Sequence, residues 1–517
     1  MRKKSKVVTL LAVVSLTTAL LASCSGNNGN NAANETNAGQ AAGNTEQSSN
    51  NAADQATLEP YELTMSFPIF SAEPKDLAEV EAELNKITKA KINTTIDILP
   101  ISVGAYAQQM NLMYSSGEKL DLSFIFGSGG MYSSSAASGK LMPIDDLLKE
   151  YGQGIVEAVG DQYVNVPQIN GKLYGTPIVD TFAKGVDYFM RKDLVDKYQI
   201  DVASIKTIDD VGNVLKTIKE KEPNLIPLGV SPGLGPVTSF IDYDDLGDRI
   251  GVLPGYDNGL QIANLFEAPE YAAQLKRVHN WFEAGYINKD AATTTVVVNG
   301  QLKAGRTFSG FYPSSPGQEE SLELETGFEL EKVELVPPYS KTGNVMTGLW
   351  TIAQQSKNPE RTMMFLNLIY SDKDIANLLV WGIEGKHYVK VSDTQADYPE
   401  GLDASTVGYN LVSFDWMFNQ RMTFLSKTDN PDIRNLEDEF VKRTTPSKAL
   451  GFVFDETPVK NEGVSIRNVL EQYAKVLETG SVNPDKKLNE FNDKLKAAGL
   501  EKYMAEKQKQ LDAWAAK

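Results

Sequence analysis

The sequence predicts an α/β fold divided into two lobes. Three observations predict it: strand and helix patterns alternate along the chain, about 460 residues follow a polar amino-terminal segment, and no unit of about 20 to 50 residues repeats. Alternation of this kind is typical of an open, mostly parallel sheet with helices on both faces. A chain of this length exceeds what one compact core normally holds, so we expect two lobes or domains.

The first elements follow a β-α-β-α-β order. Residues 61–70 form a β-prone run, and apolar residues from position 77 then recur at helical spacing. Residues 92–98 alternate as in a half-buried strand. A second helical pattern around 106–113 leads into a short apolar strand at 120–126.

Two loops of this region are candidate binding loops. The loop 67–73 follows the first predicted strand, and the loop 127–135 follows the third. Open parallel sheets bind ligands in the crevice outside the carboxyl ends of their strands. We therefore expect a site where these loops meet.

Strand and helix patterns continue through the rest of the chain. A loop rich in Gly, Pro and Asp covers 227–254. The predicted extended segments are 179–190, 306–312 and 346–352, and the predicted helices are 193–198, 209–221, 269–284, 359–370 and about the last 50 residues.

The amino-terminal segment is typical of an export signal. Four cations are followed by an apolar run at 7–21, which is short of the roughly 20 residues that a membrane-spanning helix needs. Leu, Ala and Ser then precede Cys24, the only cysteine of the chain, in a tetrad that resembles the lipobox of bacterial lipoproteins. Residues 25–56 contain no aromatic residue and no Leu, Ile or Val. A segment of this composition predicts a flexible tether.

The charge of the chain argues against a nucleic-acid partner. The formal charge is −18, and removal of residues 1–23 takes away four cations and leaves about −22. Nucleic-acid binding draws most of its affinity from Lys and Arg against phosphates. Solubility outside a cell explains the charge more simply.

The sequence predicts no cofactor, metal site or catalytic motif. The glycine pattern of a dinucleotide-binding loop breaks at Tyr132, and no Walker A loop is present. His279 and His387 have no cysteine partners for a zinc site. The acidic segment 242–248 lacks an oxygen ligand at Leu246, so it does not match an EF-hand loop.

Aromatic side chains at loop and strand-end positions suggest a carbohydrate site. Sugars present apolar C–H faces ringed by hydroxyls, so their sites combine rings with polar partners. Trp281 and Trp514 lie on amphipathic helical patterns and are expected in the core, and each of the other tryptophans fits a core position about as well as a site. The candidate rings are Tyr132, Tyr312, Trp350, Trp381 and Trp416.

Several stretches are similar to motifs of one protein family. They are GKLYGTP at 171–177, WFEAGYI at 281–287, the helix that opens with SKNPE within 356–372, GIEGKHY at 382–388, and the region 451–514. Together they resemble the extracellular solute-binding proteins, family 1, of carbohydrate ABC transporters, in particular the large LipO-like lipoproteins of Gram-positive bacteria.

The resemblance implies a two-lobe, periplasmic-binding-protein-like fold of type II, with hinged lobes that hold a ligand between them. It implies binding without chemistry, no cofactor, a monomer, and delivery of an oligosaccharide to a membrane permease. The lipid anchor on Cys24 would keep the protein on the outer face of the cell membrane. The implied boundaries are 1–23 for the signal peptide, 24–56 for the lipidated cysteine and tether, 57–178 and 345–400 for the first lobe, and 179–344 and 401–517 for the second.

Nine residues are expected to line the cleft. In the predicted site, Glu73 and Glu384 accept sugar hydroxyls, Ser128 offers a short polar contact, and the rings stack on the ligand. The nine are Phe70, Glu73, Ser128, Tyr132, Tyr188, Tyr312, Trp350, Glu384 and Trp416.

Other functions share several of these features. A secreted hydrolase or lyase would carry the same signal and tether, and a sensor or adhesion lipoprotein would share the fold. A peptide or a siderophore is an alternative ligand. The sequence does not name the sugar or the permease.

Overall fold

The computed structural model describes most of the chain after the tether. The described ranges are 58–127, 131–230, 236–256 and 259–516. The described residues belong to one compact unit. The predicted signal, the lipidation site Cys24 and the predicted contact Ser128 lie outside the described residues.

The element order confirms the predicted alternation of strands and helices. The strands are β1 (Tyr61–Ile69), β2 (Thr94–Ser102), β3 (Leu122–Ile125), β4 (Gln168–Ile169), β5 (Lys172–Leu173), β6 (Thr176–Pro177), β7 (Lys184–Arg191), β8 (Ile226–Leu228), β9 (Tyr243–Asp244), β10 (Leu253–Pro254), β11 (Thr307–Ser314), β12 (Leu330–Ser340), β13 (Leu349–Ile352), β14 (Val389–Lys390), β15 (Gln395–Asp397), β16 (Leu425–Ser426) and β17 (Thr445–Pro446).

The helices also agree with the predicted segments, including the helical carboxyl terminus. They are α1 (Leu77–Ile92), α2 (Val103–Ser116), α3 (Met131–Ala137), α4 (Asp145–Tyr151), α5 (Gln153–Val159), α6 (Asp161–Val164), α7 (Lys192–Tyr198), α8 (Ile208–Lys221), α9 (Pro236–Ser239), α10 (Pro269–Glu283), α11 (Val298–Lys303), α12 (Gln318–Thr326), α13 (Thr342–Val345), α14 (Pro359–Ser371), α15 (Lys373–Trp381), α16 (Ile433–Lys442), α17 (Lys460–Glu478), α18 (Pro484–Ala497) and α19 (Leu500–Ala515).

Two five-stranded sheets form the centres of two lobes, with strand orders β2-β1-β3-β13-β6 and β17-β12-β7-β11-β8. Both sheets are mixed rather than mostly parallel. In the first, β1 is parallel to β2 and β3, but β13 is antiparallel to β3 and β6. In the second, β7 is antiparallel to β11 and β12. Strand β13 returns from the other lobe without the helical crossover that a parallel neighbour requires, so it can run antiparallel.

The first-lobe core forms around β1. Its alternate residues Leu63, Met65 and Phe67 are fully buried, and helices α1 and α14 contribute to the same core. Helix α2 adds a smaller cluster in which Tyr106 is buried, and its hydroxyl donates to the carbonyl of Phe124 at 2.7 Å. Helices therefore pack against this sheet as the strand and helix alternation predicts.

Trp350 lies at the centre of the first-lobe core, and the prediction that it lines a ligand cleft is wrong. Its side chain is fully buried. Its ring centroid is 5.4 Å from that of Phe124 and 6.0 Å from that of Phe418. Its Nε1 donates to the carbonyl of Met417 at 2.6 Å. Strand β13 is an inner strand with both faces covered, so side chains on it are buried.

Residues 401–424 pack in the first lobe, so the predicted second-lobe assignment of 401–517 is wrong for this part. Tyr409, Phe414 and Met417 belong to the first-lobe core. The segment carries no long helix or strand, and a 3-10 helix over Val412–Met417 brings it into the core. The sequence pattern offered no periodicity from which this packing could be predicted.

The second-lobe core contains β7, β11, α8 and α10 together with the C-terminal helices α17, α18 and α19. The C-terminal helices bury Ile466, Tyr473, Phe491 and Tyr503 in this core. They are therefore part of the second lobe rather than an appended bundle.

The burial of Trp350 predicts a large effect on stability. We expect Trp350→Ala to lower the free energy of unfolding by about 3 to 5 kcal/mol, because it removes a large ring from a packed core. Phe70→Ala is the control, since the Phe70 side chain is 55% exposed, and its loss should stay below about 1 kcal/mol. Urea unfolding followed by circular dichroism measures both. Equal losses in the two variants would contradict the core assignment.

Candidate functional site

A cleft of about 830 Å³ is lined by residues of both lobes. Gly127, in the loop that follows β3, and Ser133 on α3 line it from the first lobe. Strands β7, β11 and β12 and the segment 238–249 line it from the second. The segment 341–346, which carries the chain back to the first lobe, also lines it. Its size is that of a small-ligand site, and Gly127 lies at a strand's carboxyl end, where such sheets bind ligands.

Two tyrosines form an aromatic wall in this cleft. Tyr256 and Tyr339 are half-buried and stacked, with ring centroids 5.2 Å apart and planes 24° apart. The Lys341 ammonium lies 5.1 Å from the centroid of the Tyr339 ring, within cation–π range. Half-exposed rings give the cleft an apolar surface on which a flat ligand face can stack.

Most charged side chains around the cleft are held in ion pairs. These pairs are Lys341–Asp245 at 2.6 Å, Arg467–Glu456 at 2.7 Å, and Arg249–Glu478. Burial alone would raise the pKa of Asp245, but the Lys341 ammonium, the Gly247 amide and the Lys507 ammonium together lower it. The Asp245 carboxylate is therefore ionised and fixed in position at neutral pH.

The acidic segment 242–248 uses its carboxylates to hold its own backbone. Three amides donate to the side chain two positions earlier: Leu246 to Asp244 at 2.9 Å, Gly247 to Asp245 at 2.9 Å, and Ile250 to Asp248 at 2.7 Å. Within the described ranges, no three His, Cys, Asp or Glu side chains come together as metal ligands. The segment thus builds one wall of the cleft.

Of the predicted contacts that the structure describes, Tyr312 is among the residues that line the cleft. Its ring packs against Phe189 at 5.5 Å between centroids, and its contact with ligand stays a prediction. Its side chain is buried, and its hydroxyl has no hydrogen-bond partner among the described residues. Asp187 is its cross-strand neighbour on β7, and one oxygen of that buried carboxylate also lacks a partner among these residues. Burial raises the pKa of Asp187 to about 6. The second-lobe sheet, which lines the cleft, therefore contains two buried polar groups that lack a hydrogen-bond partner among the described residues. Such groups lower the stability of the fold.

Tyr132 and Tyr188 are core residues, and the prediction that their rings stack on a ligand is wrong. Tyr132 is buried, and its hydroxyl donates to the carbonyl of Pro167 at 2.8 Å and accepts the amide of Tyr174 at 3.1 Å. Tyr188 is fully buried, and its hydroxyl donates to Ser309 Oγ at 2.9 Å. Each ring is enclosed by its own lobe, so neither offers a face to a ligand.

Phe70 and Trp416 lie together with Phe126 and Phe414 at one edge of the first sheet, a group we call the first-lobe ledge. Phe70 stacks on Phe414 at 5.6 Å between centroids, and Trp416 lies 6.5 Å from Phe126. Phe70 follows β1 and Phe126 follows β3, and these neighbouring parallel strands end at the same edge. The ledge adjoins Gly127, but its rings are not among the residues that line the 830 Å³ cleft. Their contact with ligand stays a prediction.

The two predicted carboxylate contacts lie outside the cleft lining. Glu73 is exposed in the loop after β1. Glu384 pairs with Lys390 at 2.8 Å and lines a separate cavity of about 540 Å³ with Lys373 and Phe424. The prediction that Glu384 lines the main cleft is therefore wrong. Its loop packs against α15 instead of reaching the space between the sheets.

Sequence patterns missed most residues that line the cleft. Tyr256 follows the short strand β10, and Tyr339 lies near the end of β12. Neither position belongs to a periodic pattern that marks it as exposed. The one available signal was the predicted Gly-, Pro- and Asp-rich loop 227–254, because irregular loops commonly carry binding residues.

A sequence profile of the family described as bacterial extracellular solute-binding protein matches residues 71–376. The chain belongs to this family. This confirms the resemblance and the two-lobe fold. A second profile, that of a domain of unknown function, matches residues 448–516. Within the part of the chain that the structure describes, no helix is long and apolar enough to cross a membrane.

Several known proteins are similar over most of the chain. A carbohydrate ABC transporter substrate-binding protein of Streptococcus pneumoniae is 28% identical over 481 residues, covering 92% of this chain and 94% of that protein. Lipoprotein LipO of Bacillus subtilis is 21% identical over 62% of this chain and 66% of its own length. The crystal structure of the N-glycan transport solute-binding protein NgtS from S. pneumoniae aligns with a TM-score of 0.77 at 26% identity, covering 88% of this chain and 99% of that one.

The raised pKa of Asp187 predicts a pH-dependent stability. In the folded protein the Asp187 carboxyl keeps its proton up to about pH 6. In the unfolded chain the same carboxyl loses its proton near pH 4. The free energy of unfolding therefore falls as pH rises through this window. We expect Asp187→Asn to flatten this dependence and to be more stable than wild type at pH 7 by about 2 kcal/mol.

Urea midpoints at pH 4.5 and pH 7 measure this effect. Asp193→Asn is the control, because its side chain is 53% exposed and pairs with Arg191 at the surface. A wild-type protein and an Asp187→Asn variant with parallel pH profiles would contradict the assignment.

Proposed function

We propose that this protein is the substrate-binding component of a carbohydrate ABC importer and that it captures an oligosaccharide in the cleft between its lobes. The observation that carries the proposal is the stacked Tyr256–Tyr339 wall in a cleft of about 830 Å³ that both lobes line. The S. pneumoniae relative named as a carbohydrate ABC transporter substrate-binding protein supports it. So do the structures of NgtS in complex with Man1GlcNAc and Man5GlcNAc, which align at TM-scores of 0.69 and 0.66.

Stacking on the cleft rings would supply the binding energy. An aromatic ring offers about 150 to 250 Å² of surface, and apolar burial stabilises by about 25 cal/mol per Å². A shift from a mostly open to a mostly closed population needs about 5.5 kcal/mol of differential binding. Two rings on one wall and polar contacts from the other lobe can together reach this value.

The ion pairs of the cleft favour an uncharged ligand. Three of the four cations that line the cleft, Lys341, Arg249 and Arg467, already have carboxylate partners. An anionic sugar would have to displace one of these carboxylates or rely on Lys184 alone. Breaking a partly buried pair leaves an uncompensated charge. Sugar hydroxyls need no such exchange, because they can donate to a paired carboxylate and accept from a paired cation.

We infer that the ligand is released intact to a membrane permease and that the protein acts as a monomer without catalysis. Of the four carboxylates that line the cleft, Asp245, Asp248 and Glu456 are engaged in ion pairs rather than free as a catalytic acid and base. The relatives named above are binding proteins, which is consistent with this inference. Accumulation of shorter glycans during incubation with the protein would contradict it.

We also propose that Cys24 carries a diacylglyceryl anchor that holds the protein at the outer face of the cell membrane. The sequence supports this through the Leu-Ala-Ser-Cys tetrad after the apolar run. Two acyl chains are enough for stable anchoring, whereas one gives only reversible attachment.

The proposal predicts glycan binding that depends on the aromatic wall. We expect Man5GlcNAc to bind in isothermal titration calorimetry, and Tyr339→Ala to weaken that binding about tenfold because it removes a stacking ring. Tyr286→Ala is the control, since Tyr286 is partly buried against the second-lobe core and does not line the cleft. Oligogalacturonate of similar length should bind more weakly than the neutral glycan.

A thermal-shift series gives an independent reading, because a ligand at 100 times its dissociation constant adds about 2.7 kcal/mol of stability. If neutral oligosaccharides neither bind nor stabilise the protein, the proposed function is wrong.

The anchor predicts where the protein is found in cells. Wild-type protein should fractionate with membranes and incorporate labelled palmitate, whereas Cys24→Ser should do neither, because the variant lacks the acceptor sulfur. Ser23→Ala keeps a small residue before the cysteine and serves as the control. A Cys24→Ser protein that stays lipid-labelled would contradict the anchor.

A further inference from the structure

The region 448–516 matches a domain of unknown function and lies outside the solute-binding profile at 71–376. In the structure it is built into the second lobe. Tyr503 is fully buried in the core that β7 and β11 also form, and its ring lies 5.2 Å from that of Phe454. The region is therefore part of the lobe that lines one side of the cleft.

Part of this region lines the cleft itself. Phe454, Glu456, Arg467 and Tyr503 are among the lining residues. Val453, between the two lobes, packs against the first-lobe cluster that contains Tyr132, whereas Phe454 packs against the second-lobe core. The segment 452–454 thus lines the cleft and contacts both lobes.

Helix α19 of the same region also fixes the acidic wall of the cleft. The fully buried Lys507 donates to Asp248 Oδ1 at 2.5 Å and to the carbonyl of Ile250 at 2.7 Å. The hydroxyl of Tyr503 donates to Asp248 Oδ2 at 2.6 Å. These three bonds hold the end of the segment 242–248, which lines the cleft.

We propose that the region 448–516 is a specificity-determining part of the ligand site, in which the Phe454 ring and the Arg467–Glu456 pair contact the glycan. This inference rests on the proposed function. The pair is partly exposed, with 43% of the Arg467 side chain and 26% of the Glu456 side chain accessible, and its two Arg467–Glu456 bonds measure 3.1 and 2.7 Å. A guanidinium offers five N–H donors in a fixed plane, so some remain for neighbouring sugar hydroxyls.

The chemistry of these groups fits an extended neutral glycan. The Phe454 ring can stack on the C–H face of a sugar unit. The Arg467–Glu456 pair can donate to and accept from the neighbouring hydroxyls of that unit. A short glycan held at the Tyr256–Tyr339 wall would fill only part of a cleft of about 830 Å³. A longer one would contact both this wall and the region 448–516, so the region would select for length.

Affinity ratios test this inference in the full mature chain. We expect Phe454→Ala and Arg467→Gln to weaken Man5GlcNAc binding at least tenfold and Man1GlcNAc binding by less than threefold, as measured by calorimetry. A loss of packing alone would weaken the binding of both glycans by the same factor. Lys509→Gln is the matched control, because Lys509 is exposed on α19, pairs with Glu506 and does not line the cleft.

Amide hydrogen exchange of the wild-type protein gives a reading that needs no variant. We expect Man5GlcNAc to slow exchange over 452–467. Wild-type binding with unchanged exchange there and unchanged affinity in both variants would overturn this inference alone. Failure of wild-type protein to bind either glycan would instead contradict the proposed function, and this inference with it.

Discussion

The two lobes and the cleft depend on the segment 339–342, where the chain leaves the second sheet. There β17 pairs with the end of β12, and the amide of Ser447 donates to the carbonyl of Ser340 at 2.8 Å. The hydroxyl of Thr342 donates to the carbonyl of Ala449 at 3.1 Å. A backbone held in this way from a second segment has few other positions. The crossing carries Tyr339 and Lys341, and it therefore fixes where these two side chains lie in the cleft.

Sequence reasoning predicted the elements well because their signals are local. The apolar spacing of Leu77, Val80 and Leu84 marks one face of a helix, and these residues are buried on α1. Strand direction was predicted less well. A strand's own residues do not record whether its neighbour arrives through a helix or from another lobe, as β13 does. The packing of 401–424 escaped prediction for a related reason, since it rests on contacts between segments distant in sequence.

The site was predicted less well than the fold because a ring after a strand can fill a core or face a ligand. Trp350 and Tyr132 have the composition and position of stacking residues, yet their polar atoms reach backbone groups inside the first lobe. Tyr312 was predicted and does line the cleft. Tyr256 and Tyr339 meet only through the fold, because 83 positions separate them in the sequence. No spacing rule could have paired them.

Two buried aspartates differ in how completely their carboxylate oxygens are hydrogen-bonded. Asp121, directly before β3 in the first lobe, is fully engaged: its Oδ1 accepts the hydroxyls of Tyr61 and Ser356, both at 2.6 Å, and its Oδ2 accepts a backbone amide at 3.0 Å. Asp187 in the second sheet keeps one oxygen without a partner among the described residues, as does the hydroxyl of Tyr312, its cross-strand neighbour. A buried polar group left unsatisfied costs about 1 to 3 kcal/mol. Local exceptions of this kind are expected at functional or strained sites. Tyr312 lines the cleft and Asp187 is its cross-strand neighbour, whereas Ser66 Oγ in the first sheet is in the same condition away from the lining.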